Sequence, residues 1–218
     1  MALAPEVKLL DNVSDLKERK PQPTPLRPLT PHRERIVSID TEFVPNDLTP
    51  AGLVSIALTD GERELYAVNL DMDWDKVVAW KKPWMLDNVV RHLPTTADGR
   101  LATDHPDVAT HATIAIRIKQ YLDADLGYTG IRFVAHCGAQ DMVRLHTLWD
   151  NDWDRMTRSV PTSFKDIREE RLDLGLTDGD LPRMADESLR HHALHDARHE
   201  LRTFQWLQLM KAVTGGRR

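Results

Sequence analysis

Asp40 and Glu42 close an otherwise apolar run, IVSIDTEF over residues 36–43. In an extended strand alternate side chains point the same way, so the two carboxylates project side by side, a few ångströms apart. Like charges at that distance raise each other's pKa unless a counter-charge intervenes. A divalent cation such as Mg²⁺ or Mn²⁺, which prefers hard oxygen donors, is the counter-charge that fits. A solvated strand end with no role could carry the same two letters, so the pair needs company from elsewhere in the chain. Asp141 follows the apolar run IRFVAH (131–136), and RHHALHDARHE (190–200) adds His191 and Asp196 at the start of the last helical pattern. Taken singly, Asp141 reads as a helix-start acid favoured by the dipole, and Asp196 as a surface acid paired with Arg198 or Arg202. Their joint order along the chain is the informative feature.

These residues need elements to bring them together. RIVSIDTEF (35–43), GLVSIALTD (52–60) and RELYAVNL (63–70) read as three strands, the second and third joined by a hairpin at Gly61. ATIAIRIKQYL (112–122) places Ile114, Ile118 and Leu122 at helical spacing, and IRFVAH suits a buried strand. GAQDMVRLHTLW (138–149) and the segment carrying Leu194, Ala197, Leu201, Phe204 and Leu207 read as amphipathic helices. Strands first, then alternating helices and strands, predict an α/β domain with a mixed sheet. Asp141 then sits near the carboxyl end of its strand, where open α/β sheets keep their ligand sites. Asp40 and Glu42 share that end if the two strands are parallel neighbours. Residues 71–110 are harder to read; Trp74, Trp80 and Trp84 are expected as core or lid packing, with base stacking as the alternative.

Composition narrows the class. At 218 residues the chain can hold one sizeable domain. There is no apolar run long enough to span a bilayer, and MALAPEVKLLDN lacks the features of a secretory signal. The single Cys137 rules out an internal disulfide, so a cytoplasmic protein is expected. A net charge of −5 argues against a broad electrostatic grip on nucleic acid but leaves room for a local basic rim. Residues 1–33, with five prolines within KPQPTPLRPLTPHRER, read as an extended arm, 34–213 as the domain and 214–218 as a flexible tail.

The order Asp-x-Glu, then Asp, then His-x-x-x-x-Asp resembles the DEDDh superfamily of 3′→5′ exonucleases. The blocks IDTEF, LVSIALTDGERELYAV, FVAHCGAQDMVRLHTLW, PTSFKDIREE and HHALHDARHEL are similar to the small bacterial exoribonucleases described as polyadenylate-specific. The resemblance covers roughly residues 35–210 and implies a ribonuclease-H-like fold. It also implies Asp40, Glu42, Asp141 and Asp196 as ligands of two Mg²⁺ or Mn²⁺ ions, roughly 3.5–4 Å apart as in two-metal phosphodiester displacement. His191 becomes the general base, and Thr41 and Phe43 are the candidate substrate-binding residues. Residues five apart sit about 140° around a helix axis, so His191 is expected to precede the helix that carries Asp196. The implied partner is the 3′ end of single-stranded RNA or DNA, with a homodimer left open. Two departures stand out: Gln140 precedes Asp141 where the relatives carry an aromatic residue, and Gly52 stands where an acid is usual. The adenylate preference is therefore not carried over.

Two other classes compete. His191, His195 and His199, four apart, could bind zinc on one helical stripe with Glu200 or Asp196, although no partner motif such as His-Glu-x-x-His accompanies them. A nucleic-acid-binding module that has lost catalysis is the other, and the complete set of acids and His191 weighs against it.

Overall fold

The computed structural model describes residues 33–124 and 127–215. The expected arm lies outside these residues except for Arg33, as do residues 216–218 of the expected tail. Arg33 already pairs with the folded chain: Thr129 N–H donates to its carbonyl over 2.9 Å. Among the described residues no helix is long and apolar enough to cross a membrane.

β1 (Glu34–Phe43), β2 (Leu53–Thr59) and β3 (Glu64–Asn69) form an antiparallel meander. The expected hairpin turns at Gly61, whose φ of 89° is easy only for glycine. Two short helices follow, α1 (Trp74–Ala79) and α2 (Trp84–Asn88), then β4 (Val108–Ala109) and α3 (His111–Leu122). β5 (Gly130–Ala135), α4 (Ala139–Thr147), β6 (Phe164–Asp166), α5 (Ile167–Asp173) and α6 (Ala193–Gly215) complete the chain. α6 thus continues through Gly215, into the segment expected as tail.

The sheet has six strands in the order β4-β3-β2-β1-β5-β6, with β5 parallel to β1 and β6 parallel to β5. A three-strand meander with two parallel strands added beside its first member is the ribonuclease-H-like arrangement, as expected; β4 adds a short edge. The pairs β4 and β6, of two and three residues, were not foreseen, since so few residues show no periodicity and their partners are remote in sequence. The helices α1, α2 and α5 were likewise not anticipated.

Alternation along β1 decides what faces what. Val37 and Ile39 pack with Ile114 and Ile118 of α3 and Leu145 of α4. Ile36 turns the other way, toward Leu201, Phe204 and Leu207 of α6. Each such fully buried aliphatic contributes roughly 1.5–3 kcal/mol, so a one-residue slip of β1 would be costly. By the same parity Ser38, Asp40 and Glu42 face α6. Segment 71–110 forms a satellite core in which Trp74 and Trp80 pack around Val77, Met85, Val89 and Val108, as packing residues were expected to do.

Candidate active site

Asp40 and Glu42 stand where β1 outruns its parallel neighbour. The β1–β5 ladder ends at the pair Ser38 and Val134, while β1 continues along β2 to a register shift between Glu42 and Phe43. β5 stops at Ala135 and the chain turns into α4. Gly138 makes that turn fit: a Cβ there would lie 2.7 Å from Ala135 Cβ and 2.8 Å from the Phe164 ring. Its N–H donates to Asp166 Oδ2 over 3.1 Å, tying the turn to β6.

The turn delivers Asp141 to the open end of β1. Its Oδ1 accepts from Thr41 N–H (2.9 Å) and Thr41 Oγ1–H (2.6 Å). Thr41, expected to bind substrate, lines the cleft and directs both its donors to Asp141, so it supports that carboxylate. Phe43 lines the cleft with the Arg144 guanidinium 4.3 Å from its ring centroid.

His191 precedes α6, as its spacing from Asp196 required, and takes the left-handed conformation at φ 67°. Few residues other than glycine adopt it. Its N–H donates to Asp196 Oδ2 over 2.8 Å, so one bond fixes the histidine's backbone and the carboxylate together. Asp196 is therefore no surface acid paired with Arg198; that arginine holds Glu64. His191 Nδ1 lies 3.6 Å from Glu42 Oε1, a charge contact longer than a hydrogen bond. One ligand atom each from Glu42, His191 and Asp196 falls within 4.8 Å of the others. The proposed zinc stripe is broken, because His191 is off the helix. His195 packs its ring on His192 at 4.9 Å instead.

A fifth acid, read from the sequence only as a possible zinc partner, joins the cluster. Glu200, one turn beyond Asp196 on α6, is 8% exposed and accepts from Ser38 Oγ over 3.3 Å. The sequence signal for its place among the carboxylates is the four-residue spacing from Asp196, which puts both on one helix face. Burial and mutual repulsion shape this cluster's charge. Asp40 is pushed well above the usual carboxylate range, first by burial and then by Glu200, Asp141, Glu42 and Asp196. Asp141 rises to about 7 through burial, against the pull of the Thr41 bonds. Glu42, Asp196 and Glu200 are also raised, each chiefly by burial. Glu42 pulls the His191 imidazole upward.

Such a cluster is costly without cations, and Asp40 Oδ2 is shut from solvent with no hydrogen-bond partner. An all-oxygen donor set of Asp40, Glu42, Asp141 and Asp196 suits Mg²⁺ or Mn²⁺. The acids open onto a cleft of about 640 Å³, whose lining also includes Trp84, Leu181, Arg183 and Met184. Gln140 also lines it. Gly52 does not reach it by side chain, since a Cβ there would lie 2.2 Å from Asp47 O.

The sequence matches no family model and no curated protein. Several solved structures are similar in shape, among them two exonucleases. One is E. coli exonuclease I in complex with a 5cy-dA13 oligonucleotide, at 12% identity and a TM-score of 0.44 over 78% of this chain. The other is a moderately thermophilic exonuclease I from Methylocaldum szegediense, at 18% identity and a TM-score of 0.42 over 77% of this chain. This chain spans 39% and 38% of the length of those proteins.

Proposed function

We propose that the chain is a metal-dependent 3′→5′ exonuclease of the DEDDh type, which removes nucleoside 5′-monophosphates from single-stranded nucleic acid, with RNA as the preferred substrate. The observation that carries this reading is the meeting of Glu42, His191 and Asp196 ligand atoms within 4.8 Å in a cleft that Asp40 and Asp141 also line. Two divalent ions held by Asp40, Glu42, Asp141 and Asp196 would supply Lewis-acid activation of water and stabilise the charge on the leaving 3′ oxygen. The chain's own groups do the rest. Glu42 faces Nδ1 of His191, which leaves Nε2 to take the proton from the attacking water. The Glu42 charge favours the imidazolium that forms. Thr41 holds Asp141, and the His191 amide holds Asp196, so neither carboxylate needs to reorganise when substrate arrives.

Phosphate contacts treat RNA and DNA alike, so an RNA preference rests on a hydrogen bond to the terminal 2′-hydroxyl. An acceptor left unpaired by a deoxy end costs roughly 1–3 kcal/mol, a tenfold to hundredfold preference. The test is a 5′-end-labelled oligonucleotide incubated with Mg²⁺ or Mn²⁺, in ribo and deoxyribo forms. Progressive shortening of the ribo strand, resistance of a 3′-phosphorylated one, and silence of Asp40→Ala are expected. Internal cuts, or activity surviving Asp40→Ala, refute the exonuclease reading. Equal rates on the two sugars refute only the RNA preference and favour DNA end-processing.

A further inference from the structure

Trp84 differs from the other tryptophans of segment 71–110. Trp74 and Trp80 pack on the satellite core; Trp80 lines the cleft too, but Trp84, 41% exposed, lines it without joining that core. Its ring lies 5.0 Å from the His191 ring, with the two planes at 69°. Trp80 meets Trp84 in turn at 6.1 Å and 83°. The next residue, Met85, is 1% exposed in the satellite core, so Trp84 projects from a fixed point.

His191 has few other restraints. It lies outside any helix or strand and its side chain is 32% exposed; among the described residues, the backbone bond to Asp196 and the 3.6 Å charge contact to Glu42 are its polar contacts. Neither fixes the tilt of the imidazole plane. An edge-to-face aromatic contact does, because the preferred geometry of two rings depends on their mutual tilt.

We propose that Trp84 is a positioning residue for His191: the indole at 5.0 Å and 69° sets the imidazole plane, so that Nε2 meets the attacking water. This rests on the exonuclease reading given above. A misplacement of about 1 Å in a proton-transferring group lowers turnover by up to ~10²-fold. The loss falls on kcat, because substrate binding does not depend on the tilt of that ring.

The experiment compares wild type, Trp84→Ala and Trp84→Phe of the full chain on a labelled ribo-oligonucleotide with Mn²⁺, alongside NMR of the His191 imidazole in metal-free protein, assigned with His191→Gln. In Trp84→Ala, kcat should fall roughly 10–100-fold with KM within about threefold, and Trp84→Phe should recover most of the loss. The imidazole Cε1–H resonance, displaced by the indole ring current, should move toward that of an exposed histidine in Trp84→Ala. A rise in KM at constant kcat overturns the proposal and makes Trp84 a base platform. An unmoved His191 resonance also overturns it. An inactive wild type sinks the exonuclease reading and this proposal together; an active wild type whose Trp84→Ala variant keeps its kcat sinks this proposal alone.

Discussion

At the scale of single residues, the site divides labour between carboxylates that would hold cations and one imidazole that would move a proton. His191→Ala is expected to lower kcat by roughly 10²–10⁴-fold while Mn²⁺ and oligonucleotide affinity stay near wild type, as read by calorimetric titration and anisotropy. Binding lost in proportion to turnover would instead make His191 a holding residue. His195→Ala is the fitting control, because His192 is stacked on Tyr66 at 4.6 Å and its loss would disturb packing. Glu200 poses a different question, since it is buried under the cluster and repels Asp40. Removing its charge with Glu200→Gln should raise the melting temperature of metal-free protein. The same change should weaken Mn²⁺ binding by about 10–100-fold, the usual effect of altering groups that surround metal ligands. Unchanged Mn²⁺ affinity in a folded variant would show that this charge is not felt by the ions.

At the scale of elements, the site exists because two chain segments start abruptly. α4 begins right after β5, through a turn in which Gly138 leaves no room for a side chain. α6 begins just after His191, with Asp196 reaching back to its amide. Gly138→Ala must push apart Ala135 and Phe164, an overpacking that costs roughly 1–3 kcal/mol. Since the same turn carries Asp141, activity should fall further than stability alone predicts. Denaturant melts beside rate measurements would check this; a variant as active per folded molecule as wild type would show that the turn is not rigidly coupled to the acid. Arg144 supports the other flank. Fully buried, it donates to Pro45 O over 2.9 Å and covers Phe43, so the residue after the Asp-x-Glu pair is held by α4 as well.

At the scale of the whole molecule, a cluster of raised carboxylates links stability to pH. Asp141 rises from 3.8 to about 7 on folding, and Asp40 and Glu200 are raised as well. The folded state therefore keeps protons that the unfolded chain releases. That contribution is complete below the unfolded value and is lost as pH rises through the folded one. Half-buried His192, depressed to about 4, acts in the opposite sense, but only below 6.5. Between pH 6.5 and 8.5 the carboxylates dominate, and in chelator the melting temperature should fall with rising pH, by roughly 2–4 °C for each kcal/mol lost. Saturating Mg²⁺ or Mn²⁺ should remove most of that slope, because binding stabilises the folded state by about 2.7 kcal/mol at a hundred times Kd. Asp141→Asn should flatten it without metal. A melting temperature that climbs through this range in chelator would contradict the charge pattern.

Much of this was legible in the sequence, for local reasons. β1, β2, β3, α3, β5, α4 and α6 carry enough residues to show a period of two or 3.6, and the Asp40–Glu42 parity follows from any strand. The five-residue step from His191 to Asp196 excluded a shared helix face, and the structure places His191 just before α6. What only the tertiary structure decided depends on partners far along the chain. β4 and β6 are two and three residues long, strands solely because β3 and β5 lie beside them. Trp84 and Trp80 are alike as letters, and both line the cleft; only the folded chain packs Trp80 into the satellite core as well and sets Trp84 against the His191 ring. Glu200 reads from the sequence only as a candidate partner of the histidines, and it is the β1 face carrying Ser38 and Asp40 that buries it among the acids. Local pattern names the groups that can do chemistry; which are buried together depends on burial, and burial is set by the whole chain at once.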